Sequence, residues 1–379
     1  MPVKIGQSLS LDPFTAIVEL HNEIYDPAAE LILFFCSSHY DLHDLAKQIN
    51  HMFSGITVIG CTSAGEIGPK GYVGKSITGI SFSKENFKAV IAQFDLQAAD
   101  VVETVSTSIT GMLDKLNHRS NAFKSNTNRF ALQLIDGLSR SEEVMTHAVH
   151  RGLGDIPMIG GSSGDDLRIQ TPQIFFEGSF RTKTSVLAII ETDLPFKIFK
   201  TQHFIDGKEP MVVTEADVGS RIVYELNGIP AAEVYAKALG VEIKHLNAEV
   251  FANAPVVIHL NGNEYVRSIQ KANSDGSLSF YCAIDRGLVL RIAHGIDLIK
   301  NLEAAFERIH YSIGQPQLVI GFDCVLRRLE MEKHNLLPRV ASIFHDNLTV
   351  GFNTYGEQFV GIHVNQTFTG IAIGKHQDA

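Results

Sequence analysis

The chain has 379 residues, 45% of them hydrophobic and 20% charged, and a formal net charge of −10. This composition can furnish sizeable cores, and the length suits two domains rather than one. An acidic balance with no basic block argues against general nucleic-acid binding, which relies on Lys and Arg to neutralise phosphates. No apolar run reaches the length of a signal peptide or a membrane span, so the cytoplasm is the expected compartment and no membrane contact is expected. Cys36, Cys61, Cys282 and Cys324 are widely spread and form no C-x-x-C, so they read as buried free thiols.

Residues 14–29 read as a helix, and "AELILFFCSS" (29–38) as a buried strand, being a continuous apolar run bounded by serine. "DLHDLAKQINHMF" (41–53) places Leu42, Leu45, Ile49 and Met52 on one helical face. "ITVIGC" is a strand leading into a glycine turn, and "SITGISFSK" and "FKAVIAQF" are further strands. The order then recurs. "RFALQLIDGLS" is a strand, "SEEVMTHAVHRGL" a helix, "IPMIGGSSGDD" a strand and glycine turn, and "PQIFFEG" and "TSVLAIIETD" are strands. The first two hundred residues therefore read as two copies of one α/β unit.

The character changes after "TDLPFKIFKTQHFIDGKEP", with a boundary near residue 208. Asn227-Gly228 and Asp275-Gly276 mark hairpins. "IDLIKNLEAAFERIHYSIG" is an amphipathic helix closed by Gly314, and "PQLVIGFDCVLRRLEME" is a strand running into a helix. The expected fold is α/β: two packed domains with mixed sheets, residues 1–208 and 209–379, the first with an internal duplication.

Three glycine turns stand out: "VIGCTSAGEIG" (58–68), "MIGGSSGDDL" (158–167) and "TVGFNTYGEQF" (349–359). Glycine permits positive φ and close backbone approach, and successive amides in such a turn form an anion-binding nest. The first lacks the Lys-Ser/Thr of a P-loop. "GGSSG" matches the G-x-S-x-G hydrolase elbow formally, with Ser162 central, but acidic residues follow it. Cys61 is a poor nucleophile beside Glu66, since reactive thiols need electropositive surroundings. Two readings stay open: tight architectural turns, or a ligand cleft in which Thr62, Ser63, Glu66, Ser162 and Asp165, with Ser163 and Asp166, hold an amino acid or similar small molecule.

"GCTSAGEI" and "IGGSSGDD" resemble the turns of the FIST sensory family, while "VYELNGIPAAEVYAKAL", "FDCVLRR" and "VGFNTYGEQ" with "HVNQTFT" resemble its second segment. The resemblance covers nearly the whole chain. It implies a cytoplasmic, non-catalytic ligand sensor of signal transduction, with amino acids as the ligands first associated with the family. "FKTQHF", "YVRSI" and "FYCAIDRGLVL" further resemble a haem-binding subset that senses nitric oxide and controls a histidine kinase. Haem takes one axial side chain. His203, next to Phe204 at the expected domain junction, is the first choice for the iron, His259 in "VVIHLNG" the second, and His294 and His363 follow. Self-association into a homo-oligomer is left open, and a hydrolase using Ser162 is the enzymatic alternative.

Overall fold

The computed structural model describes residues 1–119, 127–260 and 262–376. They form two compact units that do not follow one another in sequence: residues 1–200, 303–362 and 368–379 make the first, and residues 201–302 with 363–367 the second.

The first unit is one pattern written three times. The first copy runs β1 (Val3–Ser8), α1 (Pro13–Ile24), β2 (Ala29–Ser37), α2 (Leu42–Met52), β3 (Thr57–Ser63), a short hairpin of β4 (Glu66–Gly68) and β5 (Gly71–Val73), and β6 (Ile77–Ser83). The second runs β7 (Phe87–Asp95), α3 (Val101–Arg119), β8 (Asn128–Asp136), α4 (Glu142–Leu153), β9 (Met158–Ser163), the hairpin β10 (Ile174–Phe176) and β11 (Ser179–Arg181), and β12 (Thr184–Thr192).

The third copy begins with β13 (Phe196–Thr201) and is then interrupted. The inserted segment carries β14 (Phe204–Asp217), β15 (Ile222–Leu226), β16 (Ile229–Pro230), α5 (Ala231–Leu239), α6 (Ala248–Asn253), β17 (Val256–Leu260), β18 (Asn263–Arg267), β19 (Ile269–Ala272), β20 (Leu278–Phe280) and β21 (Val289–Gly295). The third copy resumes with α7 (Leu298–Ile313), β22 (Leu318–Cys324), α8 (Val325–Lys333), α9 (Leu337–Asp346), β23 (Thr349–Thr354), the hairpin β24 (Glu357–Phe359) and β25 (Ile362–Val364), and β26 (Phe368–Ile373). Both copies expected within residues 1–208 are present, and the interrupted segment from β13 to β26 adds a third.

Each copy builds a sheet of the same order, and each sheet is completed by a hairpin from another copy. The orders are β1-β6-β2-β3 extended by β10-β11, β7-β12-β8-β9 extended by β24-β25, and β13-β26-β22-β23 extended by β4-β5. In all three the third and fourth strands of that order are parallel, as at Phe34 with Gly60, Gln133 with Gly160, and Gly321 with Gly351. The lending is cyclic: copy one lends to three, three to two, and two to one.

Alternation along the strands decides what each face packs against. Leu31, Leu33 and Phe35 of β2, Phe130, Leu132 and Leu134 of β8, and Leu318, Ile320 and Phe322 of β22 meet in one buried core. Phe35, Phe322 and Phe352 pack ring to ring there, with centroids 4.5–6.3 Å apart. The opposite faces carry the helices: Ile32 and Phe34 pack under α1 and α2, and Ala131 and Ile135 under α3 and α4.

The sequence reading places no helix between "FKAVIAQF" and "RFALQLIDGLS", yet α3 occupies 19 residues there. Its Val and Thr content and Gly111 lower its intrinsic propensity. Burial of Val105, Ile109, Met112 and Leu116, spaced by three or four, forms it nonetheless.

The second unit is a separate sheet ordered β18-β17-β21-β14-β15-β20-β19, with β16 paired to β15. Asn227 and Gly228 have φ of 54° and 76°, the left-handed pair of a two-residue hairpin, as their sequence leads one to expect.

Candidate functional site

The three glycine turns follow β3, β9 and β23, and each is bonded by its backbone to another copy. Ala64 N donates to Asn353 O at 3.0 Å, and Asn353 N donates to Gly65 O at 2.7 Å. Gly164 N donates to Thr62 O at 3.1 Å, and Asp166 N to Ser63 O at 3.0 Å. Tyr355 N donates to Ser162 O at 3.1 Å, and Ser162 N donates to Gly356 O at 2.8 Å. The amides that could have lined an anion nest are spent on holding the three copies together.

Side chains complete the same lock. In the first turn Glu66 hydrogen-bonds Ser63 Oγ through one oxygen, while the other accepts from Ser76 N at 3.0 Å and Ser76 Oγ at 2.9 Å. Ser63 Oγ also reaches Cys36 O at 3.2 Å. The third turn repeats the motif with Thr354 and Glu357. The second departs from it. Asp166 stands where the others have Glu and reaches into the first copy, accepting from Ser37 Oγ, Ser38 N and Ser38 Oγ at 2.7–2.8 Å, with His39 Nδ1 at 3.1 Å. Ser163 Oγ, the counterpart of Ser63, is left buried with no hydrogen-bond partner among the described residues.

Asp165 has a different task. Its carboxylate accepts from the amides of Ile169, Gln170 and Thr171 at 2.7–2.8 Å and from Tyr355 Oη at 2.5 Å, and so folds the loop after β9. Asp165→Ala should cost about 3 kcal/mol, since four donors lose one shared, buried acceptor together; urea unfolding measures it.

Thr62, Ser63, Glu66 and Ser162 are fully buried, and Asp165 is 1% exposed. Thr62 Oγ1 accepts from Gln173 N at 2.8 Å, and Ser162 Oγ accepts from Gln358 Nε2 at 2.8 Å. Burial pushes the thiols of Cys36 and Cys61 up, and Glu66 pushes both further. Desolvation likewise raises Glu66, to about 8, against the hydrogen bonds of Ser63 and Ser76.

A buried network beside the first turn was not singled out from sequence. Arg327 Nε and Asp323 Oδ1 pair at 2.7 Å with both side chains inaccessible, Tyr72 Oη donates to Asp323 Oδ2 at 2.8 Å, and Arg328 Nη1 donates to Ala64 O at 2.9 Å. The Asp-x-x-x-Arg spacing inside "FDCVLRR", at a junction of strand and helix, is the signal that could have found it.

A family model described as the FIST N domain matches residues 30–229, and one described as the FIST C domain matches residues 231–360. The chain belongs to the FIST family. FIST domains are sensory domains of signal transduction. No curated protein matches this chain. The two FIST matches meet inside the inserted segment, so the family's division by sequence and the division into compact units differ.

The histidines singled out in this FIST protein lie in the second unit. His203 is 0% exposed, with its ring centroid 4.4 Å from that of Phe204, and its carbonyl accepts from Ile296 N at 2.7 Å. His259 has a 40% exposed side chain and lies opposite Glu264 on the β17–β18 hairpin, with Nε2 2.9 Å from Asp206 Oδ2. Asp206, His259 and Glu264 present ligand atoms within 4.8 Å of one another, a donor set suited to a divalent cation, although Arg291 Nε stands 3.9 Å from the same Asp206 oxygen. His294 lies on β21 and His363 on β25. A cleft of about 910 Å³ in the first unit is lined by Asn50, Phe53, Val58, Ile91, Lys115 and His118 among others, and by none of the candidate ligand or haem residues named from the sequence. No helix among the described residues is long and apolar enough to cross a membrane.

Proposed function

We propose that this FIST protein is a non-catalytic cytoplasmic sensor, which binds a small ligand and thereby alters its contact with a signalling partner, a histidine kinase. The observation that carries this reading is the state of the glycine turns. They sit at the carboxyl ends of the parallel strands, where open α/β sheets usually do their chemistry, yet every nucleophile there is sequestered. Ser162 is buried as a hydrogen-bond acceptor of Gln358, and Cys61 is a raised, inaccessible thiol. What remains is an interlocked scaffold, and a scaffold whose copies share hairpins suits transmitting a conformational preference. A ligand does so only through different affinities for two states.

The finer reading, haem and nitric oxide, rests on the resemblance of "FKTQHF" and its companions. His203 as it stands does not fit a haem: its imidazole has no accessible surface, so it faces no slot that could admit the cofactor. His259 is accessible, but its setting of two carboxylates suits a hard cation better than a macrocycle.

Titration of the purified protein with haem separates the readings. A Soret band lost in His203→Ala supports the haem sensor, and a protein that stays colourless removes it while leaving the small-ligand sensor. Ester hydrolysis abolished by Ser162→Ala would overturn the non-catalytic reading altogether.

A further inference from the structure

A buried cation in the second unit has no counter-ion among the described residues. Arg267, the last residue of β18, is only 6% exposed. Its Nη1 donates to His363 O at 3.0 Å and to Val266 O at 3.4 Å. No carboxylate pairs with it among the described residues, and Nε is buried with no hydrogen-bond partner among them. Buried guanidinium groups are rare unless paired, because the desolvation of an uncompensated charge is expensive.

Which edge is left over decides the chemistry. Nη1 is the nitrogen on the Cδ side of the guanidinium, and it is the one spent on carbonyls. The remaining edge, Nε with Nη2, is the fork that grips two oxygens of a planar anion through parallel hydrogen bonds.

The surroundings are unfinished in the same way. Ser268, next in the chain, is 1% exposed and its Oγ has no partner among the described residues. The segment that supplies the carbonyl of His363 continues into Asn365 and Gln366, 1% and 2% exposed, whose Oδ1 and Oε1 likewise lack partners there. Gln366 Nε2 is fixed on Ala252 O at 3.2 Å, and Gln366 holds a φ of 51°, an unusual backbone for a residue with a side chain. Natural interiors seldom leave several adjacent polar groups unsatisfied, and each such group asks for an explanation.

We infer that Arg267, with Ser268, forms the binding site for the carboxylate of a small organic acid, and that the amide oxygens of Asn365 and Gln366, which only accept, receive a donor group such as a hydroxyl of the same molecule. A carboxylate, rather than a phosphate, matches one guanidinium fork carrying a single charge. The biological purpose of the site rests on the sensor reading above; binding itself does not.

The test is a thermal-shift series on the full chain with acetate, pyruvate, L-alanine, L-glutamate and inorganic phosphate at constant ionic strength. A ligand that binds only the folded state raises Tm in a saturable way. At least one carboxylate should do so in the wild-type protein. In Arg267→Lys, which keeps the charge and loses the fork, half-saturation should move to roughly ten- to hundredfold higher concentration. Ser268→Ala provides a milder variant should Arg267→Lys prove unfolded by circular dichroism, and it should weaken the same response. The assignment is overturned if no carboxylate raises Tm, if phosphate alone does, or if the response is unchanged in the folded variants. A carboxylate that binds through Arg267 yet leaves kinase output unaltered would instead overturn the sensor reading and leave the site standing.

Discussion

Gly351→Ala should cost about 4 kcal/mol or more, enough to leave little folded protein. A Cβ built on Gly351 falls 1.8 Å from the carbonyl oxygen of Gly321 and 2.7 Å from its carbonyl carbon. Those atoms belong to the neighbouring strand, so no side-chain rotation relieves the overlap. β22 and β23 would have to move apart, and with them Phe322 and Phe352, which face the shared core. Close-packed interiors do not absorb such shifts cheaply.

The same position is glycine in every copy. A Cβ on Gly60 would meet Phe34 O at 2.5 Å, and one on Gly160 would meet Gln133 O at 2.3 Å. The graded distances order the expected losses, with Gly351→Ala the worst. Gly111→Ala is the control. It lies in α3, a Cβ there meets nothing within 4 Å, and the substitution should stabilise by about 0.5–1 kcal/mol. Urea denaturation of the variants measures the series, and a Gly351→Ala protein within about 1 kcal/mol of wild type would show that the strands are not so tightly apposed.

This glycine explains what the sequence made legible and what it hid. The phrases "VIGCTS", "MIGGSS" and "TVGFNT" are alike because the same crowded strand pair and the same turn are built three times. The apolar runs of β2, β8 and β22 are readable because both faces of each strand are covered. What local patterning cannot show is that a hairpin completes a sheet belonging to another copy. The third copy was further obscured because residues 201–302 separate its first strand from most of its first helix. At the turns, Ser, Thr, Glu and Asp read equally well as ligand groups or as lock components, since the choice depends on partners a hundred or more residues away. Asp166 bonding to Ser37 and Ser38 is one such pairing, and Tyr355 bonding to Asp165 another. The Arg267 fork escaped notice because a lone Arg in a strand carries no sign of burial until its neighbours are placed.

Glu66 gives the second large effect, and its sign is opposite to that of an ordinary surface carboxylate. Burial raises its pKa from 4.5 to about 8, and the charge of Asp166 adds to the rise. At neutral pH the group is therefore protonated. In that state the carboxyl oxygen that meets Ser63 Oγ carries the proton and donates, which leaves the Ser63 hydroxyl to donate to Cys36 O, while the other oxygen accepts from Ser76. Between pH 4.5 and 8 the unfolded chain ionises this carboxyl and the folded one does not, so folding takes up a proton. The contribution is fully present below the unfolded value and is lost as pH climbs to the folded one. At about 1.4 kcal/mol per pH unit, it is on the order of 5 kcal/mol across the window.

Glutamine reproduces the protonated state without titrating. Its amide nitrogen can donate to Ser63, and its oxygen can accept from Ser76. Glu66→Gln should therefore fold, match wild type near pH 5, and become progressively the more stable of the two towards pH 8. Asp136, also raised by burial, is present in both proteins and cancels in the difference. Unfolding free energies measured from pH 5 to 8.5 test this, and parallel profiles would mean that Glu66 is ionised in the fold. Ionisation above pH 8 would set a second negative charge near Asp166, at the place where the first and second copies are joined. Loosening of the interlock should accordingly be seen first at alkaline pH, as faster amide exchange at Ser63 and Asp166.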